Sequence, residues 1–245
     1  MKRIFGIISV LVCLCAASAH AQLRIDTSDA ERPFNVGVRV GLNTSNLSSN
    51  QLDLVPELHS TSVDWKAGFT GGVVVDILMR NFFALQPGFF FETRSCAFSH
   101  VQQIGSPEAL QLMEGTQSST YFKIPILASF RVLVTDDIEW QMDFGPYFSF
   151  GLGGNEKYTY VSPGQEYHGK EFKRDYFGDK GFVRSYDWGF KMGMGLNVMR
   201  HYYVGIHYEA GCRNVLLPNA YNPEPALYGL KGHNKAWDFT IGYNF

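Results

Sequence analysis

The chain has 245 residues, and 20 phenylalanines, 13 tyrosines and 25 glycines weight it toward β structure. Its 21 basic and 23 acidic residues are scattered along the chain, a balance that argues against a nucleic-acid partner. Four cysteines are too few for the disulfide framework of a small secreted domain.

The first 21 residues read as a secretory signal, with Lys2 and Arg3 as the charged start, an apolar run from Ile4 to Ala17, and a small-x-small cleavage site at Ala19, His20 and Ala21. The run is shorter than the roughly 18 to 20 apolar residues of a membrane span. Val12 precedes Cys13 and Leu14 precedes Cys15, so the small residue that lipid anchoring requires is missing. Cleavage before Gln22 leaves 19 basic against 23 acidic residues, a formal charge of −4. Residues 22–33 are then a short periplasmic segment and 34–245 a single all-β domain. Cys96 and Cys212 are read as two unrelated cysteines near strand ends, with a single bridge between them as the alternative.

Alternation of period two marks eight strands. The first sets Phe34, Val36, Val38, Val40 and Leu42 against Asn35, Gly37, Arg39 and Gly41. The second, from Lys66 to Leu78, opposes Phe69, Val73, Val75 and Ile77 to Thr70, Gly72 and Asp76, with Val74 out of step. In the third, Phe82 to Ser95, Phe83, Leu85, Phe89 and Phe91 oppose Gln86, Gly88, Glu92 and Arg94, and Phe90 is the exception. The fourth, Ser119 to Val132, puts Phe122, Ile124, Ile126 and Phe130 opposite Tyr121, Lys123, Ser129 and Arg131; its Pro125 fits only a bulge or a weak pairing site. The fifth, Ile138 to Leu152, sets Trp140, Met142, Phe144 and Phe148 against Glu139, Gln141, Asp143 and Ser149. The sixth, Val183 to Val198, sets Trp188, Phe190, Met192 and Met194 against Lys191, Gly193, Gly195 and Asn197. In the seventh, Tyr202, Val204, Ile206 and Tyr208 oppose Gly205, His207 and Glu209. The last alternates Trp237, Phe239, Ile241, Tyr243 and Phe245 strictly with Asp238, Thr240, Gly242 and Asn244.

Eight such strands also suit a soluble sandwich, and the connections decide between the two. Tight turns around Arg80, Thr135 and Arg200 alternate with four connections of some 20 to 30 residues. That rhythm predicts an eight-stranded antiparallel up-and-down transmembrane β-barrel with four long external loops and both termini on the periplasmic side. Arg39, Asp76, Glu92, Arg94, Lys123, Arg131, Glu139, Asp143, Lys191, Glu209 and Asp238 share the inward parity, and His207 joins them. A barrel of eight strands has an interior only wide enough for side chains, so these charges are expected to pair into a lumen network. Inward glycines such as Gly37, Gly41, Gly193, Gly195 and Gly205 make room for the long side chains.

Five segments in one order resemble the PorT-like outer-membrane β-barrel family of the Bacteroidetes: FNVGVRVGLNTSNL from Phe34, KAGFTGGVVVDILMRNFFALQPGFFFETR from Lys66, YFKIPILASFR from Tyr121, FGPYFSFGLGG from Phe144, and an aromatic end at Phe245. The resemblance covers nearly the whole mature chain. It implies an integral protein of the cell outer membrane, assembled from Phe245 as the signal to the barrel-assembly machinery, and for some members a link to protein secretion across the envelope.

No constellation of nucleophile, base and orienting acid stands out. His207 and Glu209 share an inward face with Ser149 within conceivable reach, and a lumen histidine in the polar plug is the plainer account. His59, His100, His168 and His233 lack zinc spacing, and no phosphate-cradling glycine motif precedes a helix, so neither metal nor cofactor is expected. The expected function is a non-enzymatic membrane-anchored scaffold or binding protein, with a narrow pore or an outer-membrane enzyme acting on lipid or protein as alternatives. Outer-membrane lipid surrounds the barrel. External loops such as Asn155 to Phe182, rich in tyrosine, phenylalanine and both charge signs, suit an envelope protein complex, lipopolysaccharide or a glycan.

Overall fold

A computed structural model describes residues 23–30, 33–50, 58–103, 110–160, 169–177, 181, 183–217 and 229–245; the secretory segment lies outside them. Among the described residues nine strands follow in chain order: β1 (Phe34–Ser49), β2 (Leu58–Arg80), β3 (Phe83–Gln103), β4 (Leu110–Thr135), β5 (Ile138–Tyr160), β6 (Glu171–Asp175), β7 (Tyr186–Val198), β8 (Tyr202–Gly211) and β9 (Gly232–Asn244). Eight of them close a ring in the order β1, β2, β3, β4, β5, β7, β8, β9, each antiparallel to its neighbours. The seam runs from Gly37 opposite Asn244 to Ser49 opposite Gly232. Closure leaves no unpaired edge in the ring. No α-helix occurs among the described residues.

The ring is inside-out for a soluble protein. On β1, Val36, Val38, Val40 and Leu42 are exposed while Arg39 and Asn43 are buried. Phe89 and Phe91 on β3, Phe144 on β5, Met192 and Met194 on β7 and Phe239 and Ile241 on β9 extend the exposed apolar band, and Lys123, Glu209 and Asp238 are fully enclosed. Soluble proteins bury the first kind and solvate the second. A continuous apolar belt around a polar interior fits a surface facing lipid. Val74 and Phe90, which break the alternation in the sequence, are buried inside the ring with Leu127 and Tyr203 and help to fill it.

The tight turns at residues 81–82, 136–137 and 199–201 lie together with residues 23–30 and Phe245 at one end of the ring, the turn end. The long connections correct the sequence reading. Much of what was expected as loop is strand, since β2 to β5 run 21 to 26 residues where about 9–11 cross a bilayer. The pairs Val63↔Phe98, Phe98↔Gly115 and Thr116↔Lys157 carry the sheet beyond the rim. There β6 adds to the outer stretch of β5, from Asn155↔Asp175 to Thr159↔Glu171. These stretches escaped the period-two test for a physical reason: outside lipid neither face has to be apolar, so SCAFSHV and GGNEKYT show no greasy stripe.

The prolines fall where the ladder pauses. Pairing between β3 and β4 skips from Pro87↔Ile126 to Phe90↔Lys123, and between β4 and β5 from Pro125↔Tyr147 to Ala128↔Phe144. Proline donates no hydrogen bond, and interrupted pairing is its permitted place in a sheet.

Candidate functional site

The interior is stacked in layers. At the loop end, Leu47, Cys96, Tyr176, Val183, Val215, Leu216 and Leu230 form a small apolar cluster over the barrel mouth, with Val63 and Phe177 packed against it. Cys96 is unbonded, its thiol pushed up by burial and donating to Gln117 Oε1 at 3.2 Å, and Cys212 is free and exposed.

Beneath this cap lies the main charge network, built because neighbouring strands all present their inward parity at one level. Glu92 on β3 pairs with both Arg94 and Lys123. Lys123 Nζ reaches Glu209 Oε1 at 2.5 Å and Asp238 Oδ2 at 3.3 Å. Lys191 pairs with the same Asp238 and with Glu209 Oε1 at 2.8 Å, and Arg94 Nη2 closes on Glu209 Oε2 at 2.8 Å. Asp187 extends the network, 3.9 Å from Arg94 Nη1 and accepting from Asn234 Nδ2 at 2.9 Å and Tyr147 at 3.4 Å. The desolvation of so many ions is offset only when each finds several partners, as these do.

Nearer the turn end the interior holds smaller clusters. Asp76 accepts from Gln86 Nε2 at 2.5 Å and Arg131 Nη2 at 2.7 Å. Asp143 receives His207 Nε2 at 2.9 Å, Gln141 Nε2 at 2.7 Å and Ser129 Oγ at 2.5 Å. Arg39 pairs with no carboxylate among the described residues; its guanidinium stacks on the Tyr203 ring and Nη1 donates to Val38 O. An amide relay follows, with Asn197 donating to Gln141 and Asn244 to Asn197.

Of the twelve inward titratable residues expected from parity, Arg39 and Glu139 stand apart from the ion pairs. Glu139 is half-buried at the turn-end opening and has no ion-pair partner among the described residues, because it lies one pair from the end of the β5–β7 ladder, where the ring opens to water. Asp187 and Tyr147 were missed, although each shares the inward parity of Lys191 or Asp143. Gln86, Gln141 and Asn197 were read as members of the inward face and not as bonding partners. A half-buried pair outside the ring, Glu156 with Arg174 Nε at 3.0 Å, joins β5 to β6 and carries no sequence signal.

Among the described residues His207 has no nucleophile as its partner. Ser149 Oγ donates to Asp187 O at 3.4 Å, and Ser129 donates to Asp143, so neither hydroxyl bonds His207. The void beside His207 is about 20 Å³, room for a single water. Glu92, Glu209 and Asp238 cluster as cation ligands would, and the Lys123 ammonium sits among all three. His100 and His233 lie on β3 and β9, and burial pushes His100 down to about 4; His168 is outside the described residues.

At the turn end the ring opens into a cavity of about 570 Å³. Residues 23–30 form a strap along its rim: Arg24 and Leu133 exchange backbone hydrogen bonds of 3.1 and 3.0 Å, Asn81 N donates to Ser28 O at 3.3 Å, and Asn81 Nδ2 donates to Asp26 Oδ2 at 2.9 Å. Arg80 pairs with Asp29.

The family described as outer membrane protein beta-barrel domain matches residues 20–216. No curated protein matches the chain. Among solved structures, Ail of Yersinia pestis in complex with the heparin analogue sucrose octasulfate is 11% identical with a TM-score of 0.42, covering 87% of this chain and 100% of that one. OprG of Pseudomonas aeruginosa is 10% identical with a TM-score of 0.38, covering 91% and 99%. By the extent of the family match, and in keeping with its closed, inside-out ring, the chain belongs to the outer membrane protein beta-barrel domain family and is an integral outer-membrane protein.

Proposed function

We propose that this barrel is a non-conducting, non-enzymatic anchor, a scaffold or binding protein held in outer-membrane lipid and attached through its loop-end sheet to an envelope protein complex. The observation that carries this reading is the filled lumen. Lys123, fully enclosed, ties three strands through Glu92, Glu209 and Asp238, and the apolar cluster caps them. An ion passing this plug, as the described residues form it, would have to break ion pairs, at a cost of several kcal/mol.

The short-turn end and both termini face the periplasm in this reading, as the loop rhythm supports, and Phe245 is the signal to the barrel-assembly machinery. The order of segments from Phe34 to Gly154 supports a place among PorT-like proteins of the Bacteroidetes, with a role in protein secretion across the envelope. The sheet that β2 to β6 raise above the rim is the surface offered to a partner.

Planar-bilayer recording of the purified, refolded protein tests the central point. A flat current across the voltage range is expected. Reproducible unitary conductance steps that persist in a Phe245-intact, heat-modifiable preparation would replace the anchor with a pore.

A further inference from the structure

The cavity at the turn end lies below the main charge network and shares Arg131, Asn197 and Asn244 with the turn-end clusters. Its volume of about 570 Å³ lies within the roughly 300–1,000 Å³ of small-molecule sites. Apolar side chains are a minority of its wall, in contrast to a lipid pocket. Its charges are of both signs: Asp29 and Arg131 are ion-paired, Asp26 accepts from Ser28 and Asn81, and Glu139 on β5 and Arg200 in the β7–β8 turn form no ion pair among the described residues. His201, exposed in the same turn, adds a titratable group beside Arg200.

The turn that carries Arg200 is itself unusual. Met199 and Arg200 have φ of 53° and 61°, the left-handed region needed at both central residues of the turn that His201 N closes on Val198 O at 3.2 Å, and that asparagine and glycine occupy at least cost. The chain places two long side chains there instead. Asn244 Nδ2 donates to Arg200 O at 3.5 Å, which ties the turn to the cavity floor. Non-glycine residues held in this region concentrate at ligand clamps and active sites.

We propose that the cavity binds a short zwitterionic peptide, its ammonium on Glu139 and its carboxylate on Arg200 with His201. A simple anion would meet Glu139 and Asp26 in the same wall, and a simple cation would meet Arg200 and the guanidinium of Arg131. A neutral sugar would leave both unpaired charges without counterions. A ligand with charges of both signs answers the described wall, and a volume of about 570 Å³ holds a short one. Under the orientation proposed above the cavity opens to the periplasm, where the peptide stems of the cell wall carry such groups. That source rests on the orientation, and the site does not.

Calorimetric titration of the detergent-folded full chain with trialanine, with N-acetyl-trialanine amide and with inorganic phosphate tests it, because the first probe carries both charges, the second neither and the third only the negative one. The expected result is binding of trialanine, at least about tenfold weaker binding of the capped form, and no competition from phosphate. Glu139→Gln and Arg200→Gly each weaken trialanine about tenfold and leave the capped form unchanged. Arg200→Gly also relieves the left-handed residue, so a fold defect does not explain its loss, and heat-modifiability confirms the fold of both variants. Absence of trialanine binding, equal affinity for the capped form, or phosphate bound as tightly as trialanine would overturn the proposal. Labelling of a cysteine placed at Ser28, in a Cys212→Ser background that removes the native exposed thiol, separately reads the orientation in intact cells: a site that binds trialanine in detergent but is labelled from outside keeps the site and discards the cell-wall source.

Discussion

The Arg39 guanidinium carbon lies 4.1 Å above the centroid of the Tyr203 ring, and this stack takes the place of a carboxylate partner. The ring has room because of two cross-strand glycines. Gly195 and Gly205 face each other on β7 and β8, a β-carbon at Gly195 would fall 2.6 Å from the ring, and one at Gly205 would fall 2.2 Å from the Tyr203 hydroxyl. Tyr203→Leu therefore removes the ring on which Arg39 stacks and leaves its guanidinium with the Val38 carbonyl. The expected loss is about 2–3 kcal/mol in urea unfolding of the protein folded into lipid vesicles. Arg39→Met in the same background should recover most of it, because an apolar chain of similar length has no charge to strand. A Tyr203→Leu barrel as stable as the parent would show that water serves Arg39 equally well.

Lys123 holds the main network together, so its replacement differs from that of a peripheral cation. In Lys123→Met, Glu92, Glu209 and Asp238 confront one another without the ammonium among them. A loss of about 3–5 kcal/mol is expected, with heat-modifiability retained only at lower temperature. Arg80→Met breaks an exposed pair with Asp29 and should cost less than about 1 kcal/mol. Equal effects of the two substitutions in the same unfolding assay would contradict the network.

How much of this was legible depends on where lipid presses on the sequence. Within the membrane each strand must be apolar on one face, so the alternation at Trp237 to Phe245 or Phe34 to Leu42 names strand, face and register at once. The inward charges followed from the same parity. Which of them pair was not legible, since that depends on the stagger between strands: it sets Lys191 against Glu209 in β7–β8 and His207 against Asp238 in β8–β9. The mid-lumen place of Arg39 gave no hint of an aromatic partner. Beyond the membrane the lipid constraint ends, and with it the signal for the outer halves of β2 to β5 and for β6. The strap was equally silent, because Asp26, Ser28 and Asn81 act through single hydrogen bonds that leave no period.

The β7–β8 turn offers a stability test independent of the lumen. Met199→Asn with Arg200→Gly substitutes the residues that tolerate positive φ, and about 1–2 kcal/mol of stabilisation is expected. Refolding yield into lipid should rise alongside, since the hairpin closes with less strain. Destabilisation of the double variant would mean that the long side chains of Met199 and Arg200 make contacts worth more than the backbone conformation costs.

The strap provides a pH-dependent element outside the membrane. The carboxylate of Asp26 is held below its ordinary range, first by the Ser28 hydroxyl at 2.5 Å, then by the Ser28 amide at 3.1 Å and by Asn81. A group whose folded pKa is lowered stabilises the structure above its unfolded value, here 3.8, and loses that contribution as pH falls through the folded value. The docked strap should thus be indifferent to pH from 8 to about 5 and should loosen below about 4. Amide exchange at Ser28 and Asn81 reads the change directly. In Asp26→Asn the acid-induced increase should vanish, with exchange already raised at neutral pH because the charge-assisted bonds are gone. An acid response of the same size in Asp26→Asn would assign the loosening to another group, with Asp29 at the Arg80 pair the next to replace.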